Sequence, residues 1–175
     1  AGVGTLSLVL RVNSIVIVAQ FGTTAAATQR AADRGGNDST IMLPEGIFTL
    51  DTTITLTQQQ HIRGAGRRAT SLQVSADIVA IHAPFSFSKV SDMTVTTDGV
   101  TANTKELIQI GQVGGGGRTV IDNVITTLAG RDGVHLINGN LTVFRDLTST
   151  SNGRDGIHLS SDDIDNNACS FDGII

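Results

Sequence analysis

Seven residues, Gly130-Arg131-Asp132-Gly133-Val134-His135-Leu136, return 23 positions later as Gly153-Arg154-Asp155-Gly156-Ile157-His158-Leu159. Each copy carries a carboxylate, a guanidinium and an imidazole, the side chains that move protons and hold anionic groups near neutral pH. Stacked in register, the copies put Asp132 one winding from Asp155, about 4.8 Å away. That spacing is near the ~5–5.5 Å of retaining glycosidases and short of the ~6.5–9.5 Å of inverting ones. Like charges so close raise one pKa, giving an acid and a base from one residue type. On this reading Asp132 and Asp155 are catalytic carboxylates acting on a saccharide. Arg131 and Arg154 bind uronate groups, and His135 and His158 hydrogen-bond hydroxyls. Val134 and Leu136 point inward, so His135 between them points outward, as does His158. The expected result is a surface ladder of carboxylates, guanidinium groups and imidazoles. A structural alternative stands beside it: Asp-Gly is a turn that every winding repeats, and Arg131 only neutralises the stacked aspartates.

Other candidates are weaker. Asp162, Asp163 and Asp165, with Asn166, Asn167 and Asp172, are hard oxygen ligands dense enough for a calcium ion, though acidic turns also occur on solvated faces. No other cofactor or metal is expected. Asn138 and Asn140, or Asn166 and Asn167, are candidates for internal amide ladders. Glu45, Arg67 and Arg68 read as turn and surface residues. Gly114–Gly117 lacks the Lys-Ser/Thr ending and the following helix of a phosphate loop, and reads as a loop tip.

A repeat of this size implies stacked units that contact only their neighbours. Residues 23–36 form the one clear helix: Thr23 or Thr24 caps its start, alanines fill it, and Gly35-Gly36 ends it. It is expected to cover the bottom of the stack, where a bare edge would invite aggregation. Residues 1–22 are a lead-in, with Leu6 to Val18 as a strand. Residues 37–175 are coils of short strands with period-two alternation, from Ile41/Leu43 and Phe48/Leu50 onward. A shift of 31 residues maps Ile41/Leu43 onto Leu72/Val74 and Phe48 onto Val79. Two inward tracks then follow, Phe48-Val79-Ile108-Val134-Ile157 and Ile62-Met93-Val124-Leu147-Phe171. Thr97 to Lys105 and the Gly114–Gly117 run are loops bulging from the stack. The last residues stop within a repeat, which predicts an apolar open edge and a fragment of a longer stack, or an end covered by a partner.

Phe21-Gly22, the Ala-rich helix with Gln29, and Ile41-Met42-Leu43-Pro44-Glu45-Gly46-Ile47-Phe48 resemble the start of the pectate-lyase-like right-handed parallel β-helix superfamily. Ile62-Arg63-Gly64-Ala65-Gly66 followed by Thr70-Ser71-Leu72 is similar to that group's second coil. The resemblance runs from about Phe21 to the end and implies an all-β fold: a right-handed, single-stranded parallel β-helix with an N-terminal capping α-helix. The superfamily includes polysaccharide lyases, glycoside hydrolases, uronan epimerases and trimeric phage tailspikes, so a polysaccharide partner is implied. The chain departs from its known activities. The DPH signature of uronan epimerases is missing, as is the NTD, DD and RIK set of polygalacturonases; Asp162-Asp163 is a bare DD.

Composition narrows the classes. Charged residues are 16% of the chain and glycines number 20, which suits short strands and tight turns. The formal charge of −4 argues against nucleic acid, which needs a basic face. Tryptophan and tyrosine, the usual platforms for sugars, are absent. Cys169 is alone, so no intramolecular disulfide forms, and it reads as a small buried residue. No apolar run is long enough to insert into a membrane. The preferred reading is a viral tailspike or tail-fibre β-helix that binds, and in one version depolymerises, a bacterial surface polysaccharide. It predicts a homotrimer in a virion tail. The alternatives are a secreted, extracellular bacterial lyase, hydrolase or epimerase, and a non-catalytic adhesin or structural solenoid.

Overall fold

A computed structural model describes residues 15–17, 24–85, 87–112, 118–161 and 169–175. Strand β1 (Ile15–Ile17) and helix α1 (Ala25–Gly35) lie at the bottom. Thr24 caps the helix, its hydroxyl accepting from Ala27 N–H at 3.2 Å, and Gly36 ends it with φ 65°. Ala27, Thr28, Ala31 and Ala32 are buried, so a face of small side chains sits on the first winding. Gln60, fully buried, fastens it: its amide donates to Ala32 O at 2.8 Å and Gly36 O at 3.0 Å.

The chain then winds about five times as a right-handed parallel β-helix. The first winding is β2 (Thr40–Met42), β3 (Gly46–Leu50) and β4 (Ile54–Thr55). The second is β5 (His61–Arg63), β6 (Thr70–Val74) and β7 (Ile81–Ala83). In the third, the long β8 (Lys89–Thr97) serves two faces and β9 (Ile108–Ile110) the third. The fourth repeats this with β10 (Val120–Thr127) and β11 (Val134–Ile137). The fifth is β12 (Val143–Arg145), β13 (Thr148–Thr150) and β14 (Ile157–Ser160), and β15 (Ser170–Asp172) opens the next. All the pairings between these strands are parallel.

Each face contributes an inward column. On the first it is Ile41, Ile62, Val90, Ile121, Phe144 and Phe171, the last two rings stacked 5.0 Å apart and 3° from parallel. On the second, Phe48, Leu72 and Val95 give way to Thr126 and Ser149, whose hydroxyls meet at 2.6 Å inside the stack. On the third it is Ile54, Ile81, Ile108, Val134 and Ile157. Cys169 is half-buried against this core.

The 31-residue equivalence in the lower windings does not hold. Ile41 lies under Ile62, Phe48 under Leu72, and Ile81 rather than Val79 continues to Ile108. Ile62 and Phe171 belong to the first face, whereas Met93 and Val124 belong to the second. The cause is the corner between those faces. Asp92, Asn123 and Asp146 occupy it with φ of 58°, 55° and 47°, a left-handed conformation that Asp and Asn tolerate. Inward residues flank the corner closely, so a track read from hydrophobicity alone slips from one face to the next.

Outside, the first face carries charges of alternating sign. Arg63 pairs with Asp92 at 2.9 Å and Lys89 with Asp122 at 2.7 Å, and Asp122, Arg145 and Asp172 lie directly over one another. His61, on the same face, accepts or donates at Ser91 Oγ, 2.9 Å away. Burial first, then Lys89 and Arg63, push its pKa from 6.5 down to about 4. Above pH 6.5 the imidazole is neutral whether folded or not, and the fold keeps its full stability. Between pH 6.5 and 4 the unfolded chain takes a proton that the folded chain refuses, so stability falls with pH. The urea midpoint should drop across that window, and His61→Gln should flatten the drop.

Candidate functional site

The third face and the turn leading into it bring the repeated motif together. Ile108, Val134 and Ile157 share a register, and so do Gln109, His135 and His158. Two residues earlier the same stacking aligns Glu106, Asp132 and Asp155, with Leu107 N–H donating to Asp132 O and Gly133 N–H to Asp155 O. Arg154 N–H donates to Arg131 O at 2.7 Å. The copies are therefore one winding apart, as their spacing implies.

The environments of the two aspartates differ. Asp132 is 0% exposed, and Arg154 from the winding above grips it with two bonds, Nε to Oδ1 at 2.8 Å and Nη2 to Oδ2 at 2.5 Å. Asp155 N–H adds a bond to Oδ1 at 3.3 Å, and Arg131 Nε lies 3.4 Å from Oδ2. The Asp132 bond is the main reason that the Arg154 pKa is raised. Asp155 keeps a side chain 46% exposed, with Arg154 Nε at 3.3 Å and His158 Nδ1 at 3.2 Å from its Oδ2. Both arginine side chains are 41% exposed.

The expected surface ladder is corrected at two rungs. Asp132 lies beneath Arg154, and His135 is only 7% exposed because His158 sits over it with ring centroids 5.0 Å apart. Outward from the aliphatic core is not outward to water here, since the winding above closes over both side chains. Asp155, His158, Arg131 and Arg154 do reach solvent.

Two residues of this cluster escape sequence reading. Glu106, 6% exposed, receives His135 Nδ1 at 3.3 Å and Arg131 Nη1 at 3.9 Å. The His135 bond, the Glu106 backbone N–H and the nearby charges hold its carboxyl below the usual range against the effect of burial. Ser160 Oγ lies 2.8 Å from His135 Nε2. The winding of Glu106 lacks the Gly-Arg-Asp-Gly letters, so only the Ile108 track marks its place under Asp132.

Glu106, Asp132 and His135 offer donor atoms all within 4.8 Å of one another. Arg131 contacts both carboxylates, and Arg154 bridges Asp132 and Asp155, so these side chains form one linked ion-pair network. Asp162, Asp163, Asp165, Asn166, Asn167 and Gly114–Gly117 lie outside the described residues. Asn138 is fully buried and donates to Gln112 O at 3.4 Å. Among the described residues no helix is long and apolar enough to cross a membrane.

No family model and no curated protein matches the sequence. Solved structures do share the fold. ORF18 of Geobacillus virus E2 aligns over 92% of this chain with a TM-score of 0.75 and 15% identity. The Agl-KA catalytic domain aligns over 93% with 0.63 and 17%. This chain spans 39% and 38% of those two. The A-module of the mannuronan C-5 epimerase AlgE6 from Azotobacter vinelandii aligns over 90% of this chain and 62% of its own, with 0.57 and 17%. At such identities the likeness extends to the parallel β-helix and no further.

Proposed function

We propose that this chain is part of a phage tailspike or tail fibre whose third face binds a bacterial surface polysaccharide and cleaves it at Asp155. The observation that carries this reading is the solvent-facing pair Asp155–His158, flanked by two partly exposed arginine side chains, on an otherwise regular stack. The carboxylate exchanges a proton with the glycosidic or sugar centre, and His158, 3.2 Å away, holds it in place or relays the proton. Arg131 and Arg154 face the acidic groups of the polymer from their exposed edges. Asp132 serves as the anchor that holds Arg154 rather than as a second catalytic carboxylate, because both its oxygens are taken. A viral protein among the fold's neighbours supports the virion assignment, and an epimerase of mannuronan supports a polymeric sugar. A homotrimer in the virion tail follows from the same reading.

Asp155→Asn should lower depolymerisation of the host's capsular or lipopolysaccharide glycan by at least about 100-fold. Chromatographic sizing of the glycan checks this, with the melting temperature unchanged. Full activity of that variant removes Asp155 from the chemistry. Native mass spectrometry then separates the classes: a trimer supports the spike, and a monomer supports a secreted extracellular lyase, hydrolase or epimerase. Binding with no cleavage by the unaltered chain points to an adhesin.

A further inference from the structure

We propose that Ser160, His135 and Glu106 form a nucleophile–base–carboxylate constellation that hydrolyses O-acyl esters carried on saccharide hydroxyls. The geometry is on the outer side of the third face. Glu106 from the third winding meets Nδ1 of His135 in the fourth at 3.3 Å, and Nε2 of the same ring meets Ser160 Oγ in the fifth at 2.8 Å. Three successive windings thus supply the three parts in order.

The chemistry of the ring follows from its neighbours. Glu106 is held in its ionised, acceptor-only form, so the proton of a neutral His135 sits on Nδ1. Nε2 is then an acceptor, aimed at the hydroxyl whose proton it must take. That is the arrangement by which an adjacent base activates a serine, with the third group fixing tautomer and orientation. His158 packs over the imidazole and Arg131 faces the carboxylate, so the base is confined and largely dry while Ser160 remains partly exposed on β14. A packing role alone explains neither the buried carboxylate on one ring nitrogen nor the hydroxyl on the other.

In the reaction, Ser160 Oγ bonds to the ester carbonyl carbon as its proton passes to His135 Nε2. The carbon–oxygen bond to the sugar breaks, and the sugar oxygen leaves with that proton. Water then attacks the acyl-serine, giving one proton to His135, which returns it to Ser160 Oγ as the carboxylic acid departs. Ester and water become acid and alcohol with no further reactant. The choice of a saccharide ester rests on the polysaccharide reading above; the serine chemistry does not.

A fluorophosphonate probe tests it on the whole chain. One phosphonyl group should add to the intact mass, on the peptide that carries Ser160, and Ser160→Ala should abolish it. His135→Gln should slow labelling at least about 100-fold with an unchanged far-UV spectrum. Glu106 acts through His135 as a positioning residue, so Glu106→Gln should slow labelling and Glu106→Asp should restore part of the rate. Hydrolysis of 4-nitrophenyl acetate should follow the same order. No labelling of the folded protein, or labelling spread over exposed serines and indifferent to His135→Gln, overturns the proposal. Glycan binding without labelling would sink the esterase and leave the polysaccharide reading intact. Labelling without glycan binding would do the reverse.

Discussion

Asp132→Ala should cost about 3 kcal/mol of folding stability, while Asp155→Ala should change it by no more than about 0.5 kcal/mol. The two aspartates occupy equivalent places in the repeat, so the contrast comes wholly from surroundings. Removing the Asp132 carboxylate takes away both short Arg154 bonds, leaving its Nε the contact to Asp155 at 3.3 Å, and withdraws the anion 3.4 Å from Arg131. It also leaves a space in a fully buried position and the Asp155 N–H without that acceptor. Arg154 is half-exposed and regains water, which keeps the loss at the lower end of the range for a broken buried pair. Asp155 gives up only contacts that solvent already screens. Urea unfolding at constant m-value measures both. Equal losses would return the two carboxylates to one structural role and undo the assignment of chemistry to Asp155.

Gly130→Ala is the second severe change, again about 3 kcal/mol, at the upper end of what overpacking costs. A Cβ at Gly130 would lie 1.3 Å from Asn103 O, a backbone atom of the winding below. One at Gly153 would lie 2.2 Å from Gly130 O, so the same column of windings approaches closely twice. Gly156 is the internal control: its added Cβ would come no closer than 3.3 Å to Ser149 Cβ, and Gly156→Ala should cost under about 1 kcal/mol. Thermal melts of the three variants should rank Gly130 worst and Gly156 mildest. A mild Gly130→Ala would mean that residues 98–105 pack less tightly on the stack than Asn103 indicates, despite its amide bonds to Ala76 O and Ile78 O.

Much of the architecture is legible from the letters. The Gly-Arg-Asp-Gly echo puts Asp132 under Asp155 and His135 under His158, and the structure pairs them so. The helix between Thr24 and Gly36 is equally readable, because its cap and its stop are local signals. The lower windings are not. Ile62 and Met93 are both inward and apolar, yet they flank a corner whose left-handed Asp and Asn leave no hydrophobic trace. Burial at the candidate site is likewise a property of the winding above. Nothing in Asp132 announces that Arg154 will fold down over it, and nothing in Lys105-Glu106-Leu107 announces a carboxylate beneath an imidazole. Alternation says which side of a strand a residue takes, and only stacking says what then lands on it.

The alternating charges along the outer first face carry one more implication. Asp122, Arg145 and Asp172 follow each other up the column, and Asp122 is also held by Lys89. Were the chain to skip one turn while coiling, Asp172 would settle onto Asp122, carboxylate against carboxylate. Repulsion between these carboxylates on the outer column works against that slip, at the modest strength of exposed charges.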